Sequence, residues 1–446
     1  MRQHDFTTGP IGKQLLVFSL PILLTNLLQV SYQFIDSLWV GNLLGADALG
    51  AVALSSTVIF TVLSFIIGVN HATLTILSQL KGKDDEQRLR MFVNAFVVIL
   101  GGLSLLLGMV GFVFAKNILL FLGTPDAMLE QAASYLRINF LGILFLFGYN
   151  FIGTVFRALG NSKTPLRFVM MAVILNTILD PLFIYVFQWG IEGAALATII
   201  AQGSAFSYGL FISISRKMIP FSRPALPEKE EALLILRQGI PAGLQMTVIS
   251  AGMAAIMSVV TRFGGDVVAG FGVAQRLDSI IMLPAHALGT AVNSMAGQNI
   301  AVNKWDRVRK ITIYATFLNL GAMLVAALLI FIFARWGIRM FIQDAGAVAF
   351  GTEYVKIVAF FYPFLGFNFV WNGVVRASGA MFQVLVLNII SFWLLRYPLT
   401  FLFAQFFAEK GIGYGIGTSF VISSMLAFGY YKYGKWRERE LFKTKT

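Results

Sequence analysis

Long apolar stretches separated by short polar segments run along the whole chain. Each stretch has roughly 20 residues or more, the length of helix that crosses about 30 Å of hydrocarbon. None of them shows the alternation of a lipid-facing β-strand, so the pattern predicts membrane-spanning helices. We expect twelve spans, at residues 13–40, 48–80, 91–115, 127–159, 165–188, 192–215, 234–262, 267–300, 308–333, 347–378, 382–407 and 413–433.

The second half of the chain repeats the first at an offset of 219 residues. At this offset Tyr135 falls on Tyr354, and Gly160 falls on Gly379. Residues 216–232 are predicted to be a cytoplasmic linker, because their three prolines and their charges do not suit a membrane core. Since the linker separates six spans from six, the halves are predicted to be parallel repeats.

These patterns predict an all-α integral membrane protein with two pseudo-symmetric six-helix bundles and a central cleft. We place the first bundle at residues 1–215, and the second bundle with its basic tail at residues 233–446. The first apolar stretch lacks a cleavage site of small residues, so we expect it to stay in the mature protein.

Composition agrees with a membrane protein and excludes several kinds of site. Apolar residues make up 57% of the chain and charged residues only 12%, whereas soluble domains average about 25% charged residues. The chain has no cysteine, which excludes disulfides and thiolate metal sites. Its three histidines are too scattered to hold a metal together.

The net charge of +13 is explained by membrane topology better than by a nucleic-acid partner. Most of the 34 Lys and Arg residues lie on the tails and on the loops after even-numbered spans. The positive-inside rule then places both termini in the cytoplasm. We expect a monomer in the inner membrane of a prokaryotic cell, with the basic C-terminal tail against anionic lipid.

Two acids of the first half, Asp36 and Asp180, are predicted to be embedded in the membrane, and neither has an acidic counterpart at the repeat offset. A carboxylate in hydrocarbon costs a few kcal/mol, so Asp36 and Asp180 are expected to be functional. Tyr32 lies one turn before Asp36, and Asn176 lies one turn before Asp180. With a hydroxyl from Thr198, these oxygens suit a proton or a small hard cation such as Na⁺.

Two acids in one dry site do not both ionise cheaply. We therefore expect Asp36 and Asp180 to titrate as a coupled pair that loads and releases a proton. Pro181 interrupts helical hydrogen bonding beside Asp180 and should loosen that helix. The alternative is that each acid only accepts hydrogen bonds from neighbouring helices.

Other polar or soft residues within the spans are candidates for a substrate cavity. Methionines near one stripe of span 7 suit a pliable drug-binding wall, although ordinary core packing explains them equally well. For Arg276, a structural or gating role is the favoured interpretation, although it is also a cavity candidate. The candidates are Gln245, Met246, Met253, Met257, Arg276, Asn150 and Asn372.

Tyr135 and Tyr354 lie at the outer ends of spans 4 and 10, each two residues before a basic residue. This arrangement predicts interfacial anchors. At the inner ends of the same spans, Arg157 and Arg376 precede Gly160 and Gly379 by three residues. There we expect a glycine that ends the helix and an arginine that meets its C-terminal dipole.

Together these features resemble the multidrug and toxic compound extrusion (MATE) family over essentially the whole chain. The resemblance is carried by the twelve spans in two halves and by three segments. These segments are the Pro21 helix with Asp36-Ser37-Leu38-Trp39-Val40-Gly41, the turn Phe156-Arg157-Ala158-Leu159-Gly160-Asn161, and Asn176-Thr177-Ile178-Leu179-Asp180-Pro181.

The resemblance implies a cation site of the DinF-like branch. In that branch the ion is held by an acid of the first span, an Asn and an Asp of the fifth span, and a threonine nearby in the sixth span. The matching residues of this chain are Asp36, Asn176, Asp180 and Thr198. The NorM-like branch relies on a glutamate in span 7 and an aspartate in span 10. This chain has Gln245 and asparagines at those places, which favours the DinF-like branch.

The family further implies a secondary antiporter that exports amphipathic or cationic compounds in exchange for H⁺ or Na⁺, with no other cofactor. Protonation of Asp36 would let the first helix bend. The alternative is a lipid-linked saccharide flippase of the same superfamily, for which Arg276 and Arg396 supply cationic groups. An enzyme is disfavoured, because the chain lacks nucleophile motifs, metal-ligand clusters and phosphate-binding loops.

Overall fold

The computed structural model describes residues His4–Phe442, and within this range the fold is helical and contains no β-strand. The α-helices are α1 (Ile11–Leu44), α2 (Ala46–Gly82), α3 (Glu86–Phe121), α4 (Asp126–Leu141), α5 (Ile143–Ala158), α6 (Lys163–Pro181), α7 (Gly190–Ser215), α8 (Lys229–Val260), α9 (Gly265–Ile281), α10 (Leu283–Ala301), α11 (Trp305–Arg339), α12 (Ala345–Ala359), α13 (Tyr362–Ala377), α14 (Met381–Ile389), α15 (Tyr397–Phe407) and α16 (Lys410–Tyr433). Two π-helical segments occupy Leu182–Val186 and Ile390–Arg396.

The helices supply the predicted number of membrane spans. Within residues 4–442, ten helical stretches are long and apolar enough to cross a membrane, and two bent pairs bring the total to twelve. The helices extend beyond the predicted apolar limits, as α3 does on both sides of residues 91–115. An apolar run marks only the part in hydrocarbon, whereas backbone hydrogen bonding continues into the polar flanks.

The two bent spans lie at equivalent places in the repeat. Helices α4 and α5 meet at 48°, and α12 and α13 meet at 54°. A Cβ atom on Gly142, at the first bend, would lie 2.4 Å from the Ile199 side chain of α7, so only glycine allows this close packing. The second bend precedes Pro363, which has no N–H to continue the hydrogen-bond ladder.

Both π-helical segments lie next to a proline in equivalent spans. Helix α6 ends at Pro181 and is followed at once by the segment Leu182–Val186, as the position of the proline predicts. In the second half, the segment Ile390–Arg396 joins α14 to α15, and Pro398 is the second residue of α15. Such segments frequently occur at functional sites.

Contacts divide the described residues into two compact units. The first unit contains His4 and Leu24–Arg237, and the second contains Asp5–Leu23 and the residues from Gln238 onward. This division differs from the predicted bundle boundaries, because Asp5–Leu23 groups with the second unit. The borders fall inside two helices, α1 and α8, which open the two halves of the repeat.

The N-terminal segment is held in the second unit by backbone hydrogen bonds. The N–H of Phe6 donates to Gln298 Oε1 at 3.1 Å, and its carbonyl accepts from Asn299 and Arg307 at 3.0 Å. The Phe6 ring is fully buried and meets the Phe18 ring edge-on, with centroids 4.8 Å apart. These contacts satisfy backbone groups that would be costly to bury alone.

Helices α5 and α13 end in the same way, as their sequences predict. Gly160 and Gly379 have φ angles of +81° and +84°, a conformation that glycine adopts without steric cost. Their N–H groups donate to the carbonyls of Arg157 at 3.1 Å and Arg376 at 2.8 Å. Each arginine lies in the last helical turn, where the helix dipole favours a cation.

Candidate cation site in the first unit

Three helices of the first unit contribute the predicted oxygen donors. Tyr32 and Asp36 lie on α1, Asn176 and Asp180 on α6, and Thr198 on α7. Asn176 and Asp180 have no exposed surface, and Asp36 and Thr198 are also buried. Tyr32 is half-buried, but its hydroxyl oxygen is enclosed.

These side chains lie close to one another. Asn176 Nδ2 donates to Asp180 Oδ1 at 3.1 Å, as the one-turn spacing predicts. The carboxyl groups of Asp36 and Asp180 are near enough to interact electrostatically. The Tyr32 phenol is within electrostatic reach of both acids and lies beside the Thr198 hydroxyl. The structure therefore brings together all five residues that were predicted to bind the coupling ion.

Five buried oxygen atoms of this cluster have no hydrogen-bond partner among the described residues. They are Tyr32 Oη, Asp36 Oδ1, Asn176 Oδ1, Asp180 Oδ2 and Thr198 Oγ1. The Tyr32 and Thr198 hydroxyls are neighbours but lack hydrogen-bond geometry. Because an unpartnered buried polar atom costs about 1–3 kcal/mol, the gathering of five in one place makes this cluster the candidate site for a bound ion.

The donor set fits a proton or a small monovalent cation. Carboxylate, amide and hydroxyl oxygens are the ligands that hard cations prefer, and a carboxylate pair also binds a proton. Histidine and thiolate, the ligands typical of transition metals, do not contribute to the cluster. Across residues 4–442, no group of three or more His, Cys, Asp or Glu residues gathers closely enough to hold a metal ion.

Tyr135, on α4, belongs to the same cluster and was missed by sequence reasoning. Its side chain is only 3% exposed and lies within electrostatic reach of Asp36 and Asp180. Tyr354 is buried to the same degree in the second unit, so the prediction that both are interfacial anchors is wrong. Their coincidence at the repeat offset was the sequence signal for a shared internal role.

The predicted cavity residues of α8 lie in different surroundings within the second unit. Gln245 is buried, and neither amide atom has a hydrogen-bond partner within the described range. Met253 Sδ accepts a hydrogen bond from Arg396 at 3.5 Å. Met257 packs against the apolar core, and Met246 is half-buried. The methionines therefore do not share one environment.

The remaining cavity candidates are also separate. Arg276 is exposed, and its guanidinium lies 6.0 Å from the centroid of the Phe341 ring. Asn372 donates to Asn368 one turn away on α13. Asn150 belongs to the first unit, where it lines a small cavity together with Thr25, Gln29, Tyr149 and Arg157. A single substrate cavity made of these residues stays a prediction.

Comparisons with known proteins agree with this architecture. The profile of the MatE family matches residues 21–182 and again residues 241–402, which confirms the internal repeat. The probable multidrug resistance protein YpnP of Bacillus subtilis (strain 168) is 60% identical over 445 residues, which is 100% of each chain. The probable multidrug resistance protein YoeA of the same strain is 28% identical over 97% of this chain and 95% of its own.

A solved structure has the same fold. The Vibrio cholerae MATE transporter VcmN in its bent form superposes with a TM-score of 0.90 at 23% identity, covering 96% of this chain and 97% of that one. The family profile spans most of the chain, and the YpnP match covers all of it. The chain therefore belongs to the MatE family of membrane transporters.

Proposed function

We propose that this protein is a multidrug efflux antiporter, which exports amphipathic and often cationic organic compounds in exchange for H⁺ or Na⁺. The relative at 60% identity is named a probable multidrug resistance protein, which supports the export of drugs. The cluster of five unpartnered oxygens is the observation that supports ion coupling. The protein acts as a monomeric carrier rather than an enzyme and uses no cofactor besides the coupling ion.

The coupling ion binds between α1, α6 and α7. Two carboxylates in a poorly solvated site repel each other, so one proton or Na⁺ stabilises the pair formed by Asp36 and Asp180. When the ion leaves, the buried oxygens lose their ligand and the site favours another arrangement of α1. The ion shifts this equilibrium by as much as its affinity differs between the two arrangements.

The membrane potential is large enough to drive this exchange. One charge that crosses 100 mV releases about 2.3 kcal/mol. Since about 1.4 kcal/mol corresponds to a tenfold concentration ratio, one ion accumulates a neutral substrate tens-fold on the far side. Both termini lie on the cytoplasmic side of the inner membrane in this proposal, because most of the 34 Lys and Arg residues flank that side.

A lipid-linked saccharide flippase is the alternative within the superfamily, and the position of Arg396 argues against it. Such a carrier needs cationic groups that are open to a phosphate. Arg396 is only 4% exposed and donates to a neighbouring side chain, so it is not open to a phosphate. Of the two arginines, Arg276 alone is exposed. An assay of cell-wall precursor translocation separates the two functions.

The substitution Asp36→Asn tests the antiporter. It should abolish dye efflux in everted vesicles while the protein stays folded in the membrane, because asparagine keeps the shape but cannot take up a proton or neutralise a cation. The control is Asp84→Asn, since the Asp84 side chain is 94% exposed at the end of α2.

Efflux should be measured with pH and Na⁺ gradients imposed separately, and collapse of efflux by a protonophore alone identifies H⁺ as the coupling ion. Unimpaired efflux by Asp36→Asn refutes the site.

A further inference from the structure

A buried guanidinium occupies a polar pocket in the second unit. Arg396 is the last residue of the π-helical segment between α14 and α15. Its Nε donates to Ser419 Oγ at 3.2 Å, and its Nη1 donates to Met253 Sδ at 3.5 Å. The guanidinium carbon lies 3.8 Å from the centroid of the Phe392 ring and 4.8 Å from that of Phe420. Aromatic faces and polar atoms thus surround the cation.

The pocket is built from the same repeated elements as the cation cluster of the first unit. Arg396 touches α8 through Met253 and α16 through Ser419. Helix α8 is the repeat of α1, α14 with α15 is the repeat of α6, and α16 is the repeat of α7. At the 219-residue offset of the repeat, Arg396 falls on Thr177, the residue after Asn176 of the cluster.

The pocket also contains a carboxylate and a repeated tyrosine. Asp278 is buried on α9 and accepts hydrogen bonds from the hydroxyls of Tyr354 and Tyr362. Arg396 is within electrostatic reach of both Asp278 and Tyr354. Tyr354 is the repeat of Tyr135, which lies beside the acids of the first unit. Each unit therefore has a buried acid within electrostatic reach of this repeated tyrosine, although Asp278 lies on α9, which repeats part of α2, and not on the repeats of α1 or α6.

The two positions differ in how their polar atoms are satisfied. In the cation cluster of the first unit, five oxygens have no partner within the described residues. In the second unit, both carboxylate oxygens of Asp278 accept hydrogen bonds, and the guanidinium of Arg396 donates to two acceptors. The second position therefore already holds its positive charge, which is covalently attached to the chain.

The geometry points to a second cation site whose resident cation is the side chain of Arg396. The pocket between α8, α14–α15 and α16 is a site for a guanidinium-class cation, and Arg396 fills it in place of a mobile ion. The site itself is tested by protein stability and does not depend on transport.

The substitution Arg396→Ala removes the tethered cation and leaves Asp278 without its neighbouring charge. The purified full-length variant should melt at a lower temperature than the wild type. Millimolar methylguanidinium chloride should restore several degrees in a saturable manner, because it fits the space that the side chain leaves. Methylurea, a neutral molecule of similar shape, and NaCl at equal concentration should not restore stability. Equal responses to all three additives, or no response, overturn the proposal.

A second test compares a variant that lacks the arginine charge with a variant that lacks both the arginine and the acid charge. It remains informative if Arg396→Ala does not fold. Arg396→Met keeps much of the side-chain volume but removes the positive charge within electrostatic reach of the buried Asp278, so we expect it to be destabilising. Adding Asp278→Asn removes that acid, so the double variant should melt at a higher temperature than Arg396→Met alone. A double variant that is no more stable than the single one overturns the proposal.

An external anion is the competing ligand of this arginine. If Arg396 served a phosphate-bearing substrate, inorganic phosphate would stabilise the wild type saturably, and Arg396→Lys would weaken that effect. We expect no saturable stabilisation of the wild type by phosphate beyond equal ionic strength of NaCl. Saturable stabilisation that depends on Arg396 overturns the tethered-cation assignment. Because these readouts are thermal, a failure here is distinct from a failure of Asp36→Asn to abolish efflux.

Discussion

At the scale of single residues, the candidate cation site of the first unit depends on which buried oxygens have a hydrogen-bond partner. Asp180 has one carboxylate oxygen bound by Asn176 and the other without a partner among the described residues. This arrangement holds the acid in a fixed orientation and leaves one oxygen without a partner. In the proposed ion site, the Thr198 hydroxyl adds a neutral oxygen to the two carboxyl groups.

The substitution Thr198→Val tests that hydroxyl. Valine has the same shape but offers no oxygen, so the site should bind its ion more weakly while the helices pack as before. The loss of one such interaction, about 1 kcal/mol, corresponds to roughly a fivefold rise in the ion concentration needed for half-maximal efflux. The measurement is dye efflux in everted vesicles over a series of proton and Na⁺ concentrations.

The matched control is Thr177→Val on α6. The Thr177 hydroxyl donates to the carbonyl of Val173 at 2.8 Å, so it is satisfied within its own helix. Its removal should leave the ion dependence unchanged. An equal shift in both variants would mean that Thr198 does not contact the ion.

The residues of the cluster were predictable to different degrees. Asp36, Asp180 and Asn176 stand out in the sequence because acids and amides are rare in hydrocarbon. Tyr135 stands out only through its coincidence with Tyr354 at the repeat offset, since a tyrosine near the end of a span is otherwise typical of the membrane interface. Which oxygens lack a partner depends on side-chain directions from three helices, and these directions are not visible in any one segment.

At the scale of helices, the apolar pattern predicted the twelve spans but not their internal breaks. Pro181 indicates an irregular segment beside Asp180, because proline removes a backbone donor, and the structure has a π-helical segment there. The break at Gly142 gives no such signal, since its cause is the close approach of Ile199 from α7. A break that results from a neighbouring helix can be seen only after the helices have packed.

Close packing of α15 against α16 depends on two glycines. A Cβ atom on Gly411 would lie 2.1 Å from the Phe403 carbonyl oxygen, and one on Gly415 would lie 2.3 Å from the Thr400 Cα atom. These residues are four apart, so they lie on one face of α16 and let two backbones approach, as small residues do in membrane helices.

The substitution Gly415→Ala should therefore lower the stability of the purified protein by about 1–3 kcal/mol, since backbone atoms cannot yield to the added methyl group. The control is Gly429→Ala on the same helix, where an added Cβ atom meets nothing within 4 Å. That variant should be neutral or more stable by about 0.5–1 kcal/mol, because alanine favours helix over glycine. Both are compared by thermal unfolding in detergent, and an equal loss in the two variants would contradict the packing explanation.

At the scale of the whole molecule, the boundary between the halves was only partly predictable. The prolines and charges of residues 216–232 indicate a linker, and the structure has no helix between Ser215 and Lys229. Assignment of Asp5–Leu23 to the second unit was not predictable. Phe6 binds Gln298, which is 292 residues away along the chain, and local sequence carries no sign of such a partner.

The substitution Phe6→Ala tests this long-range attachment. Phe6 is fully buried in the apolar core of the second unit, so its truncation should cost about 3–5 kcal/mol of stability. Leu16→Ala is the control, because Leu16 is 53% exposed on α1 and its change should stay within about 0.5 kcal/mol. Thermal unfolding of the purified proteins measures both. Similar melting temperatures for the two variants would show that the segment does not support the second unit.

The attachment of the N-terminal segment also constrains the order in which the protein is assembled. A ribosome makes Phe6 and Phe18 first, but the apolar cluster that receives them includes Val384 and Trp436, which are made last. Full burial of the opening turns therefore requires almost the whole chain to be synthesised. A chain that ended before Val384 would lack part of the cluster that covers Phe6 and Phe18.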